Sequence, residues 1–186
     1  MNLADLADME WNEAYFQWLW EHTDEETGLI GRTDSPFVTA KKYEFMGGTF
    51  HYLFNMEYAR MPLRYPEKLI DACLWMYENR AEGEMRFGSK FCRQVDFIQV
   101  DWIYCITRAL RQTGYKHAEC MAALEDFAEQ FLDYLEAVDA GTADRFNDLH
   151  MLFGAVCALA ELQQTLRGKL KSSKPLKLVL DRRPFI

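Results

Sequence analysis

Residues 96–110, DFIQVDWIYCITRAL, read as an apolar helix entered through two carboxylates, Asp96 and Asp101. Similar apolar segments with a polar entry occur on either side, at 49–60 and 144–162. Taken together, the three are expected to be inner helices of an α/α repeat, each delivered by a more exposed, amphipathic partner helix.

The partners follow from local signals. Asp8 can cap a first helix with Glu10 in its first turn, and Trp11, Tyr15, Trp18 and Leu19 keep helical spacing up to His22. The loop TDEETGLIGRTDSP then carries Gly28, Gly31 and Pro36, and Gly47-Gly48 predict a turn before the next helix starts at Phe50. Its acid-rich part, residues 23–27, lacks the oxygen spacing of an EF-hand and reads as a solvated loop. Tyr65-Pro66-Glu67 opens a second pair, whose stripe of Leu69, Ile70, Cys73, Leu74, Met76 and Tyr77 stops at Asn79 before Gly83. A loop through Gly88 leads to Asp96 and Gln99, spaced as a capping box, and Gly114 is expected to close that helix. Residues 116–137 and 147–166 form the third pair, ended by Gly168. His51, Asp101 and His150 recur at intervals of about 50 residues, as degenerate helical repeats do.

The expectation is an all-α chain of about three αα-hairpins over residues 1–168. A basic tail, 169–186, is expected to pack on this body. The tail KLKSSKPLKLVLDRRPFI holds six Lys/Arg against one Asp, a charge of +5, which leaves the rest of the −8 chain at −13. An apolar fraction of 49% is ample for a core. The acidic balance argues against nucleic acid or an anionic membrane as partner. Five Cys without a C-x-x-C pair and an N-terminus without an apolar signal segment suggest a reducing, cytoplasmic setting.

The run WLWEHTDEETGLIG at 18–31, echoed by WMYENRAEGEMRFG at 75–88, resembles the helix-to-loop segments of the α/α-toroid superfamily. That superfamily includes terpenoid cyclases and protein prenyltransferases, and the six-hairpin glycosidases are built on similar lines. The resemblance implies αα-hairpins circling a cavity, with inner helices lining it. Three hairpins make about half a ring, so it also implies a homodimer or a missing N-terminal half to complete the cavity, or an open edge that is simply tolerated. The implied ligand is a glycan or an isoprenoid, bound by an enzyme or a fragment of one. The alternative is a non-catalytic helical scaffold or protein-binding module. The acidic D-x-D-D run of class II terpenoid cyclases is not matched by residues 96–101. Asp71-Ala72-Cys73 has the letters of the prenyltransferase zinc pair but is placed on an outer helix, so no zinc site is carried over.

Helical spacing sets Asp101, Tyr104, Cys105 and Arg108 on one face, His51, Asn55 and Tyr58 on a second, and Asn147, His150 and Gly154 on a third. If the inner helices are in register, these faces converge on one concave surface. Asp101, His51 and His150 are then the candidate catalytic residues, a partly buried carboxyl and two imidazoles suited to acid–base work. Asp96, Asn55, Tyr58, Trp102, Tyr104, Arg108 and Asn147 are the candidate ligand-lining residues. With a sugar ligand, Asp96 and Asp101 can supply a carboxylate pair and the aromatics stacking platforms. The plain alternatives are that Asp96 is an N-cap and that Asp101 is a first-turn residue or a buried partner of Arg108 or a His. No metal-ligand spacing is present and no cofactor is expected.

Overall fold

Asp8 starts the first helix as expected: its carboxylate accepts a hydrogen bond from the Trp11 amide at 2.7 Å. The computed structural model describes residues 8–31, 42–81, 90–174 and 176–178. Its elements are α1 (Met9–Glu21), α2 (Lys42–Ala59), α3 (Pro66–Glu78), α4 (Ile98–Leu110), α5 (His117–Ala137), a short 3-10 helix (Asp144–Asn147) and α6 (Leu149–Thr165). Among the described residues there is no strand, only an isolated antiparallel bridge between Thr23 and Ile30. The chain is all-α over these residues, and none of its helices there is long and apolar enough to cross a membrane. Pro36, Gly83, Gly88 and the tail beyond residue 178, with its closing Phe185-Ile186, lie outside the described residues.

The helix formed by the central stretch is the middle of the molecule. Residues 98–109 of α4 are all buried, and the helix packs against α2, α3, α5 and α6. Its walls differ in chemistry. Toward α3 and α5, Trp102 stacks on Tyr77 at 4.9 Å and meets Phe91 and Phe127 at 5.6 Å. Toward α2, Tyr104 takes Phe50 and Phe54 edge-on at 5.3 and 4.9 Å. Toward α6, Arg108 forms a two-bond fork with Glu161, at 2.9 and 2.8 Å, with both side chains buried.

Three local readings are corrected. Gly47-Gly48 do not turn the chain, because α2 runs through both. The roughly 1 kcal/mol that a helical Gly costs is offset by tertiary packing of this helix on α4. Asp96 and Gln99 do not form a capping box: α4 begins at Ile98 without a side-chain cap, and the Gln99 amide donates to the Phe91 and Gln94 carbonyls. At its other end α4 stops at Leu110, short of Gly114, as the Gln112 amide turns back to the Ala109 carbonyl at 2.9 Å. By contrast, Pro66 does sit in the first turn of α3, and the Leu69-to-Tyr77 stripe is buried.

Gly28 shows why the 23–31 loop needs its glycines. It adopts φ of +68°, and a Cβ there would lie 2.6 Å from the Leu69 nitrogen and 2.7 Å from the Tyr65 carbonyl oxygen. The loop is closed by Asp24, whose carboxylate accepts from the Thr27 amide at 2.8 Å and the Thr27 hydroxyl at 2.7 Å. At the far end, Lys169 pairs with Glu125, and Gln163 bonds Ser172 and the Leu176 amide, at 3.1 and 3.4 Å.

Candidate functional site

The crossing of α2, α4 and α6 leaves a pocket in which about 40 Å³ is open to the centre of a water molecule, room for a few waters or one small group. Asp101 from α4, His51 from α2 and His150 from α6 all line it. Phe50, Phe97, Val100 and Phe153 make its walls, and Gly154 and Cys157 complete the α6 side. At Gly154, and less tightly at Gly47, the neighbouring helices approach α4 closely. A Cβ on Gly154 would stand 3.2 Å from the Phe97 α-carbon, and one on Gly47 would touch Asp101 Oδ2 at 3.4 Å.

Asp101 is the unusual member. It is 3% exposed, and among the described residues no hydrogen bond or ion pair engages its carboxyl. Burial, and next the charge of neighbouring Asp96, push its pKa well above the ordinary 3.8. The carboxyl is therefore kept as a neutral acid at pH values where a solvated Asp has lost its proton. His51 is shifted the opposite way, below 6.5, by partial burial and then by the charge of His150. Its ring lies edge-on to Phe50 at 5.2 Å, and His150 tilts against Phe97 at 5.7 Å. Cys157 is held as a thiol, its pKa pushed up to about 12 by burial and then by Glu161.

The remaining candidates from the sequence are used elsewhere. Asp96 is buried and paired with Arg145 from the 3-10 helix, while its other oxygen accepts from the Phe97 amide at 2.8 Å. It therefore does not complete a free carboxylate pair with Asp101. Arg108 is not the partner of Asp101, because Glu161 one layer further along α6 takes its guanidinium. Tyr104 lies beneath that guanidinium, 3.7 Å from ring centroid to charge, and Trp102 donates to the Cys73 carbonyl at 2.9 Å on the far side of α4. Asn55 donates to the Tyr15 hydroxyl at 2.7 Å, Tyr58 is exposed, and Asn147 is exposed in the 3-10 helix. Tyr104 and Arg108 leave the site because α4 is enclosed by other helices, so the face that carries Asp101 meets the α2 aromatics and then Glu161 of α6 further along.

Sequence reasoning missed Phe97, Phe153 and Cys157 as lining residues. Phe153 and Cys157 follow His150 at i+3 and i+7, so the spacing rule that grouped His150 with Gly154 contains them as well. Arg145 and Glu161 were missed for another reason: opposite charges about 50 residues apart announce nothing in one dimension. Among the described residues no group of three His, Cys, Asp or Glu is placed to hold a metal ion, and Asp71 of the Asp-x-Cys pair is engaged with Lys116 at 2.7 Å. No protein-family model, curated protein or solved structure matches the chain.

Proposed function

We propose that the pocket between α2, α4 and α6 is the acid–base centre of an enzyme acting on a glycan, with Asp101 as proton donor. One observation carries this reading: Asp101 is buried with its pKa pushed well above 3.8 by burial and then by the charge of Asp96, none of the described residues pairs with its carboxyl, and two imidazoles line the same pocket. A scaffold would gain from pairing that carboxyl, since an unpaired buried polar group costs stability.

In this mechanism the neutral Asp101 carboxyl gives its proton to the leaving oxygen of a glycosidic bond as the bond to the anomeric carbon breaks. His51, kept unprotonated by its lowered pKa, takes a proton from the water that attacks that carbon. Asp96 acts indirectly: fixed by Arg145, its charge helps to hold the proton on Asp101. The apolar walls favour a second substrate class, an isoprenoid, for which the same acid would protonate a double bond. In both cases the chain is read as part of an α/α toroid of about three hairpins, completed by a second copy or by further helices.

The test is turnover of glycan and prenyl substrates by the wild type and by Asp101→Asn and His51→Ala. Loss of about 10²-fold or more in kcat on removing the acid is expected for general acid catalysis. The rate should fall at low pH as His51 takes up a proton and at high pH as Asp101 loses its own. A wild type and an Asp101→Asn variant with equal rates would refute the reading.

A further inference from the structure

A second feature adjoins the pocket through α2. Asn55 meets Tyr15 and Tyr52 meets Trp18, at 6.2 Å between ring centroids, so α1 and α2 run antiparallel with their aromatic faces side by side. Along α1, Trp11 stacks flat on Tyr15 at 5.3 Å and 7°, and Trp18 stacks on His22 at 4.2 Å and 18°. Each stack covers one face of its indole, and yet Trp11 and Trp18 remain 55% and 44% exposed, with Tyr58 of α2 at 52%. The strip therefore presents two flat rings to solvent. On α2 it runs along Tyr52 and Asn55 toward the Tyr58 end, and His51, next to Tyr52 in the chain, lines the pocket.

We propose that this strip between α1 and α2 is a binding platform for an extended, uncharged glycan whose end reaches the Asp101 pocket, with Trp18 and Trp11 as successive stacking positions. The proposal builds on the glycan reading of the pocket and adds where the rest of the chain lies. Spacing supports it: residues seven apart on a helix are separated by about 10 Å along the axis, close to the span of a disaccharide, so alternate sugar rings meet the two indoles. Chemistry supports it as well, because flat aromatic faces beside a Tyr hydroxyl and an Asn amide offer the stacking and hydrogen-bonding mixture that a pyranose requires. Charge selects among glycans. α1 carries Glu10, Glu13 and Glu21 and no Lys or Arg, and Arg64 beside it is turned to the Trp20 carbonyl at 2.8 Å, so the face of α1 itself disfavours polyanions.

The experiment is calorimetric and fluorescence titration of the full chain with cellohexaose, xylohexaose and mannohexaose, and with hexagalacturonate as the anionic control. At least one neutral hexaose should bind, more tightly than its disaccharide, and hexagalacturonate should not. Trp18→Ala and Trp11→Ala should each weaken that binding about three- to tenfold, the range expected for one aromatic contact, while melting like the wild type because both rings are half in solvent. Turnover separates the two readings: Trp-dependent binding by a wild type that turns over no glycan leaves the platform standing and removes the catalytic pocket. No binding of any neutral hexaose at millimolar concentration, or equal binding by both Trp variants and the wild type, overturns the platform. So does a dimer that dissociates on Trp11→Ala or Trp18→Ala, which would make a second copy the occupant.

Discussion

Asp101 ties stability to pH in a direction opposite to that of an ordinary surface carboxylate. Its pKa in the folded chain lies above the unfolded value near 3.8, so the folded state keeps a proton that the unfolded state releases. Its stabilising contribution is complete below that value and is lost as pH rises toward the folded pKa, at about 1.4 kcal/mol per pH unit. Asn cannot ionise in either state. Asp101→Asn should accordingly melt above the wild type at pH 7, with the gap closing as pH falls toward 4. Parallel melting curves across that range would show that Asp101 ionises normally in the folded chain. A variant that gains stability while losing turnover would show a residue kept for chemistry at a cost to the fold.

At the scale of elements, the α4–α6 packing combines a close approach at one end with a buried ion pair at the other. Gly154 lets α6 approach the start of α4, and Arg108 with Glu161 joins the two helices further along. Removing one partner leaves the other charge buried, so Glu161→Ala should cost about 3–5 kcal/mol in urea unfolding. Replacing both, as Arg108→Met with Glu161→Leu, should restore most of that loss, because the pair's attraction is largely offset by its desolvation. If the double variant is as unstable as Glu161→Ala, the ion pair itself rather than its burial sets the cost. The sequence identified both helices and placed Arg108 on a face with Asp101, offering Asp101 as one candidate partner of Arg108, whereas the carboxylate that takes the guanidinium is Glu161. Choosing among carboxylates requires knowing which helix lies opposite, and that is decided by packing.

Over the whole molecule, burial is uneven. Residues 98–109 are buried throughout α4, whereas Leu19 is the buried residue of α1. Amides in such a central helix open only with global unfolding, and those of a lightly packed edge helix exchange by local opening. Hydrogen exchange read by mass spectrometry should therefore find peptides from α4 the slowest and those from α1 the fastest among the helices. Equal protection of the two would mean that α1 is held by contacts beyond those of the folded monomer, as a completed ring or a bound partner would provide. The same asymmetry explains how the strip on α1 can hold two half-exposed Trp rings: the edge helix commits one side to α2 and leaves the other to solvent.

The helices themselves, their order, the Asp8 cap, Pro66 at the head of α3 and the apolar stripe of that helix were legible in the sequence, because each depends on residues a few positions apart. Asp101, His51 and His150 stood out in the sequence as polar groups on otherwise apolar segments of similar spacing, and the structure brings the three to one pocket. The sequence alone could not decide what each polar group faces. Asp96 and Arg108 have the same local look as Asp101, but Arg145 and Glu161, about fifty residues away in the chain, neutralise them, and nothing among the described residues does so for Asp101. Local propensity acts over one or two turns, whereas burial and ion pairing depend on which helices the tertiary fold brings together, and only that packing gave Asp96 and Arg108 their partners and left the Asp101 carboxyl without one among the described residues.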